Sequence, residues 1–243
     1  MSRRHLPSVS CIVAVYNGEA YLHEAIDSLM AQEYPRLEII VVDDGSTDRT
    51  AEVIAGYGDR VRALRQENRG VSVARNRGVA SSTGELLCFL DADDRLEPRK
   101  IAVQVDAFED DERLDLCDCH TSYFWSPELP AEVLAADHRY AESFWRQVLP
   151  HHISTWLFRR TLWERIGEFS AGMRYSEDSD WLSRGLDLSM QRLTLPDVLT
   201  HRRLHRGNIT ARHRDEQLAK LADMFLAHVH RKRTNGRLDL QQG

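Results

Sequence analysis

The sequence predicts an α/β fold with a mostly parallel central sheet flanked by helices. Three observations carry that expectation. Short apolar runs rich in β-branched residues recur along the first hundred residues: Val9 to Tyr16, Glu38 to Asp43 and Leu86 to Leu90. Segments between them place apolar residues at helical spacing. The runs also lack strict hydrophobic–polar alternation, which is how strands buried on both faces of a parallel sheet read.

Val9 to Tyr16 is the first expected strand. Asn17-Gly18 breaks it, with Asn17 placed to cap the next helix. There Leu22, Ile26, Leu29 and Met30 share a face at the 3.6-residue period, and Pro35 closes the unit. Glu38 to Asp43 is the second strand, and Ser46 or Thr47 in the following turn can cap a helix reaching Tyr57. Gly58 ends that helix, and Val61 to Arg65 makes a short third strand. Gly70 opens a helix whose Val71, Ala74 and Gly78 are small enough for close backbone approach, and Gly84 stops it. Leu86 to Leu90 is a fully apolar fourth strand, followed at once by Asp91-Ala92-Asp93-Asp94.

Beyond Pro98 the spacing predicts a helix to Phe108 and a strand from Leu114 to His120. A proline-bearing loop over Ser122 to Asp137 and a helix around Glu142 to Val148 come next. Thr155 to Phe158 reads as an edge or partly exposed strand, and Ser176 to Leu186 as a loop running into a helix. Leu218, Leu221, Ala222, Phe225, Leu226 and Val229 form one face of a C-terminal helix. With no internal repeat, the chain divides into 1–98, 99–215 continuous with the same sheet, and a helix with a basic tail over 216–243.

The 243 residues suffice for a real core. No apolar stretch approaches the ~20 residues needed to span a bilayer. Arg3 and Arg4 are not followed by a signal-type apolar segment, so the expected location is cytoplasmic. Reduced cysteines fit that compartment. Cys11 and Cys88 lie in strand-like runs, and Cys117-x-Cys119-His120 is too tightly spaced for structural zinc.

A net charge of -6 argues against a nucleic-acid partner. The basic run over 201–214, with Arg202, Arg203, Arg206, Arg212 and Arg214, suits a small anionic ligand instead. Arg231, Lys232, Arg233 and Arg237 allow peripheral contact with an anionic inner membrane face. A solvated helix C-terminus explains them equally well.

Open α/β sheets bind ligands at the carboxyl ends of their strands. Tyr16-Asn17, Asp43-Asp44 and Asp91 to Asp94 all fall there. Several carboxylates at one strand mouth repel unless a cation holds them, and Mg2+ or Mn2+ suits oxygen donors beside phosphates. The plain alternative is a solvated acidic turn favouring a helix N-terminus. There is no dinucleotide glycine fingerprint and no P-loop. Lysine is confined to Lys100, Lys220 and Lys232. Phosphates would therefore meet metal, backbone N–H groups, or arginines such as Arg75 and Arg202.

Four segments in order resemble the inverting glycosyltransferases of family 2, which have the GT-A type nucleotide-diphospho-sugar transferase fold. They are Val13 to Glu19, Ile40 to Asp48, Asn68 to Gly78 and Phe89 to Asp94. Ser176 to Trp181 and His201 to Thr210 extend the likeness over most of 9–210, and it is weak over 98–172. The resemblance makes 1–98 the nucleotide-sugar half and 99–215 the acceptor-binding and catalytic half. It implies that Ala14, Tyr16, Glu19 and Asp44 hold the nucleoside, with Asp44 on the base. Arg75 would reach the nucleotide or its phosphates. Asp91 and Asp93, flanking Ala92 at the donor, would form the Asp-x-Asp element. Asp93 would be the direct metal ligand and Asp91 would lie nearer the sugar or ribose. Asp178 would be the general base and Glu177 its supporting carboxylate. Arg202 and His205 would close over the diphosphate, with His205 approaching the metal. Ala14 stands where many relatives use a hydroxyl residue, and Ser176 replaces the commoner glycine.

The implied reaction is a single displacement with inversion, combining a metal-held leaving group with a base on the opposite face. The donor would be a UDP-sugar. The acceptor would be a glycan, a lipid-linked glycan or a small metabolite, and a homo-oligomer is compatible with the sequence. Two alternatives stand beside it: a nucleotidyltransferase releasing pyrophosphate, and an inactive nucleotide-sugar-binding protein. Trp181 reads as core or as a sugar-stacking platform, and Trp125, Trp145, Trp156 and Trp163 face the same choice. His151-His152 reads as a polar loop or part of an acceptor site.

Overall fold

The computed structural model describes residues 6–126, 152–173 and 176–205. The expected helices over 142–148 and 218–229 and the basic tail lie outside the described residues, as do His151 and Trp145. Among the described residues eight strands form one sheet: β1 (Val9–Val15), β2 (Leu37–Asp43), β3 (Arg62–Arg65), β4 (Leu86–Phe89), β5 (Arg95–Leu96), β6 (Leu116–Trp125), β7 (Leu157–Arg159) and β8 (Arg192–Leu204). Their order is β3-β2-β1-β4-β7-β6-β8-β5. The first four run parallel, β7 is antiparallel to β4 and β6, β6 and β8 are parallel, and β5 returns antiparallel on β8. The sheet is thus mixed, with its parallel block in the first half.

Among the described residues six helices cover it: α1 (Leu22–Met30), α2 (Thr50–Ala55), α3 (Val71–Ala80), α4 (Lys100–Asp110), α5 (Arg160–Ile166) and α6 (Glu177–Asp187). On one face Leu22, Ile26, Leu29 and Ile54 from α1 and α2 share a core with Val9, Cys11 and Val41 of β1 and β2, and Ile101 and Val105 of α4 extend it to Cys117 of β6 and Leu157 of β7. On the other, Phe89 and Phe158 meet Leu162, Trp163, Phe169 and Trp181 from α5, α6 and the segment between them. Among the described residues no helix is long and apolar enough to cross a membrane. All four cysteines are buried and free. Burial pushes the Cys117 thiol up to about 12, so it is unreactive.

Four local expectations change. The strand expected to stop at His120 continues, so Ser122 to Trp125 belong to β6 and pair with β8 instead of opening a loop. Asn17 does not cap α1, whose N-terminal flank is Tyr21. Asn17 adopts a left-handed φ of 52°, and its Oδ1 accepts the Thr47 N–H at 2.8 Å, tying the loops after β1 and β2 together. Ser46 and Thr47 do not cap α2. Asp48 Oδ1 instead accepts the Thr50 N–H at 3.0 Å. The strand expected at an edge, β7, is interior: β4 and β6 pair with its two sides, and Leu157 and Phe158 are fully buried.

Gly78 shows why α3 needs small residues. A Cβ there would lie 2.4 Å from Ile12 Cγ2 on β1. Gly78→Ala is expected to destabilise the fold by about 1–3 kcal/mol through overpacking. The measurement is a lower urea midpoint at unchanged m-value.

Candidate active site

The parallel register brings Val15, Asp43 and Arg65 level at the carboxyl edge. The Asp91 to Asp94 turn follows β4 and leads into β5, and the Asp94 N–H closes it on the Asp91 carbonyl at 3.1 Å. Each carboxylate of this turn has its own partners. Asp91 Oδ1 accepts Arg75 Nη2–H at 2.6 Å, and its Oδ2 lies 3.1 Å from His152 Nε2. Asp93 Oδ2 lies 2.9 Å from His205 Nε2. Asp94 Oδ1 accepts the Arg203 N–H at 3.1 Å, and Asp94 Oδ2 accepts the Ser154 hydroxyl at 3.2 Å.

The electrostatics follow from crowding and burial. Burial alone would raise the Asp91 carboxyl, but Arg75, His152 and Arg202 together hold it well below the usual carboxylate range. Asp94 goes the other way: burial, reinforced by Asp93 and Asp91, pushes it well above its ordinary value. Two neighbouring carboxyls are thus driven apart by their partners.

The second half of the site comes from α6. Arg75 on α3 is buried, and its Nη1 donates to Glu177 Oε1 at 2.5 Å. Burial raises the Glu177 carboxyl despite that partner. Burial also works against the Arg75 charge, and Asp91, Glu177 and Asp178 outweigh it. Asp178 follows in the first turn of α6, where acidic side chains complement the helix dipole. Its Oδ1 accepts the Ser179 N–H at 2.7 Å.

The expected nucleoside residues are more dispersed. Tyr16 is 52 % exposed just past β1, and Ala14 is half-buried. Glu19 faces the start of α2, where its Oε2 accepts the Arg49 backbone N–H at 2.8 Å. Asp44 is buried and accepts from Gln66 Nε2 and the backbone N–H groups of Arg69 and Gly70 at 2.7, 3.0 and 2.8 Å. It organises the loop that opens α3. Ala92 sits opposite Gly18, where a Cβ on that glycine would be 3.9 Å from the Ala92 methyl.

The Asp91–Asp94 turn, Arg75, Glu177, Arg202 and His205 therefore converge. Glu19 and Asp44 lie with the loops that flank them. Sequence reasoning missed three contributors. His152, read as loop or acceptor site, is buried against Asp91 and Asp94. Arg203 donates Nε–H to the Asp93 carbonyl at 3.0 Å and is held between the Tyr21 and Phe124 rings. Tyr123 shares a hydrogen bond with Arg202. Only the arginine density of 201–214 hinted at any of these.

The residues fit a divalent cation. Asp91, Asp94 and His152 each offer a ligand atom, all within 4.8 Å of one another. His152 Nδ1 is buried without a hydrogen-bond partner among the described residues and lies 3.5 Å from Asp94 Oδ2. Asp93 and His205 supply a second carboxylate–imidazole pair. Carboxylate oxygens with imidazole nitrogen suit Mn2+, and the carboxylates alone suit Mg2+.

The comparisons with known proteins agree with this geometry. The profile of Glycosyl transferase family 2 matches residues 10–177. An uncharacterized glycosyltransferase of Rickettsia typhi is 33% identical over 220 residues, covering 84% of this chain and 66% of its own. A second, from Rickettsia prowazekii, is 35% identical over 181 residues, covering 72% of this chain and 57% of its own. This chain thus spans about three fifths to two thirds of their length. Among solved structures, the Pyrobaculum calidifontis mannosyltransferase PcManGT with GDP-Man and Mn2+ aligns at a TM-score of 0.72 and 22% identity, over 93% of this chain and 65% of that one. S. aureus TarS 1-349 with UDP-GlcNAc aligns at 0.65 and 22% identity, over 84% and 60%. These likenesses establish a shared GT-A type fold, and the matched profile establishes the rest: the chain belongs to Glycosyl transferase family 2.

Proposed function

We propose that this protein transfers a sugar from a nucleoside-diphosphate sugar, with uridine as the nucleoside, to an acceptor hydroxyl with inversion at the anomeric carbon. One observation carries the reading: the Asp91–Asp94 turn and the acidic first turn of α6 are joined through Arg75. A group that can hold a leaving diphosphate thereby lies beside one that can take a proton. The nucleotide sugars held by PcManGT and TarS support the donor class.

In this reading Asp93 and His205 are the residues that hold the cation, with Asp91 beside them. When bound, Mn2+ or Mg2+ neutralises charge on the departing diphosphate as a Lewis acid. Arg202 adds fixed positive charge on the same side, a role supported by its lowering influence on the Asp91 and Asp94 carboxyls. Asp178 takes the proton of the incoming hydroxyl as general base. Glu177 is the supporting carboxylate, and Tyr16, Ala14, Ala92 and Asp44 line the nucleoside end.

The test is release of nucleoside diphosphate from a panel of UDP- and GDP-sugars, with Mn2+ or with EDTA. Metal-dependent release supports transfer, whereas pyrophosphate as product would point to nucleotidyl transfer. Asp93→Asn removes a ligand charge. It is expected to weaken Mn2+-dependent UDP binding on the order of tenfold or more, the scale of losing one support at a metal site. Calorimetric titration reads that effect, and an unchanged manganese titration would take Asp93 out of the metal shell.

A further inference from the structure

We propose that Arg75 is a positioning residue for the general base: it acts through Glu177, fixing the first turn of α6 against the Asp91 turn. The proposal rests on the glycosyltransferase reading for its catalytic consequence, but its geometry stands independently.

Both terminal nitrogens of Arg75 are committed. Nη2 donates to Asp91 Oδ1 at 2.6 Å and Nη1 to Glu177 Oε1 at 2.5 Å. The guanidinium is buried, with its carbon 6.0 Å from the ring centres of Phe89 and Phe169. A planar fork pinned at both tips and walled by aromatic rings transmits position, because neither carboxylate can shift without breaking a charge-assisted bond.

The same helix holds the segment before α6 at further points. Asn76 Nδ2–H donates to the Phe169 carbonyl at 2.9 Å, and the Phe169 N–H returns to Asn76 Oδ1 at 3.1 Å. The Ser72 hydroxyl donates to the Met173 carbonyl at 3.3 Å. Thus Ser72, Arg75 and Asn76, all from one helix, grip Phe169, Met173 and Glu177. Ser176, immediately before α6, has a left-handed φ of 62°. A non-glycine residue holds that conformation only where its surroundings over-determine it. Helix α3 is therefore the template on which the base-bearing turn is set, and Arg75 is the contact that also reaches the donor turn.

Arg75→Lys keeps the charge but loses the planar two-tipped fork that spans the two carboxylates, while Glu177→Ala leaves the Arg75–Asp91 pair and removes the acceptor on the α6 side. Calorimetry with UDP and GDP in Mn2+ gives binding, and diphosphate release from the donor that wild type hydrolyses gives turnover. Both variants are expected to keep nucleotide Kd within about threefold while kcat falls on the order of 10²-fold, the cost of a misplaced catalytic group. Adding Asp178→Asn to Arg75→Lys should cost far less than it does in wild type. Hydrogen exchange over residues 168–180 provides a readout without activity, and Arg75→Lys should speed it about tenfold. Nucleotide binding weakened more than tenfold would make Arg75 a direct ligand and overturn the proposal, as would wild-type kcat. If wild type turns over no donor, the functional reading fails alone. Exchange then decides, with faster exchange supporting the template role and unchanged protection ending it.

Discussion

Asp178→Asn is expected to lower turnover by about 10²-fold or more, the usual contribution of a general base, while Mn2+-dependent nucleotide binding stays near the wild-type value. The substitution is nearly isosteric. Its side-chain oxygen can still accept the Ser179 N–H that Asp178 Oδ1 accepts at 2.7 Å, so the first turn of α6 keeps its local structure. The amide cannot take a proton from an incoming hydroxyl. Glu177 is a poor replacement, because its carboxylate is buried and bound to Arg75. Steady-state release of diphosphate, with calorimetry on the same sample, separates the two quantities. Turnover at the wild-type level would place the base elsewhere. Lost nucleotide binding would instead make Asp178 part of the donor site.

The parallel half of the fold was legible because its strands are continuous apolar runs whose burial is complete. Val9, Cys11, Ile12 and Val13 are all fully buried, and such strands announce themselves by composition. The longest strand, β8, was not legible. It carries Thr194, Pro196, Asp197 and several exposed positions, and its pairing with β6 shifts register around Cys119, His120 and Thr121. A strand irregular at its middle shows neither apolar continuity nor clean period-2 alternation. The edge reading of β7 failed for a related reason. Three residues give no period, and whether a short strand is covered depends on partners far away in sequence.

At the site, residue types were legible and partnerships were not. The Asp91 to Asp94 turn at a strand mouth pointed to chemistry because carboxylates there need compensation. Nothing in spacing says that Arg75 bridges a residue 16 positions away to one 102 positions away. His152 was invisible for the same reason: a histidine in a polar stretch acquires meaning only when β7 and its preceding turn, running between β4 and β6, deliver it onto Asp91 and Asp94. Arg202 and Arg203 looked alike in sequence, yet alternation along β8 separates their tasks. Arg202 faces Asp91 and Tyr123, while Arg203 turns to Glu24 and the rings of Tyr21 and Phe124.

Trp181→Ala is expected to cost about 3–5 kcal/mol of stability, the range for truncating a large buried aromatic residue. The residue admits both a core and a sugar-platform reading by sequence, and burial decides for the core. Trp181 is fully buried, with ring centres 5.7 Å from both Trp156 and Trp163 and 5.0 Å from Phe158. No face is left for a sugar. Its Nε1–H donates to the Gly167 carbonyl at 2.9 Å, so truncation also strips that carbonyl of a partner. Trp156 makes the control. It is equally buried, but its Nε1 has no hydrogen-bond partner among the described residues. Trp156→Phe removes an unpaired donor along with some volume and is expected to cost under about 1.5 kcal/mol. Urea unfolding of the two variants reads the difference directly. Because Trp181 lies one helical turn beyond Glu177 and Asp178, the Trp181→Ala cavity opens beneath the base-bearing turn. Turnover should therefore fall even under conditions where the variant remains folded. A Trp181→Ala protein with the wild-type midpoint would mean that the cluster does not anchor α6, and the position of Asp178 would then need another support.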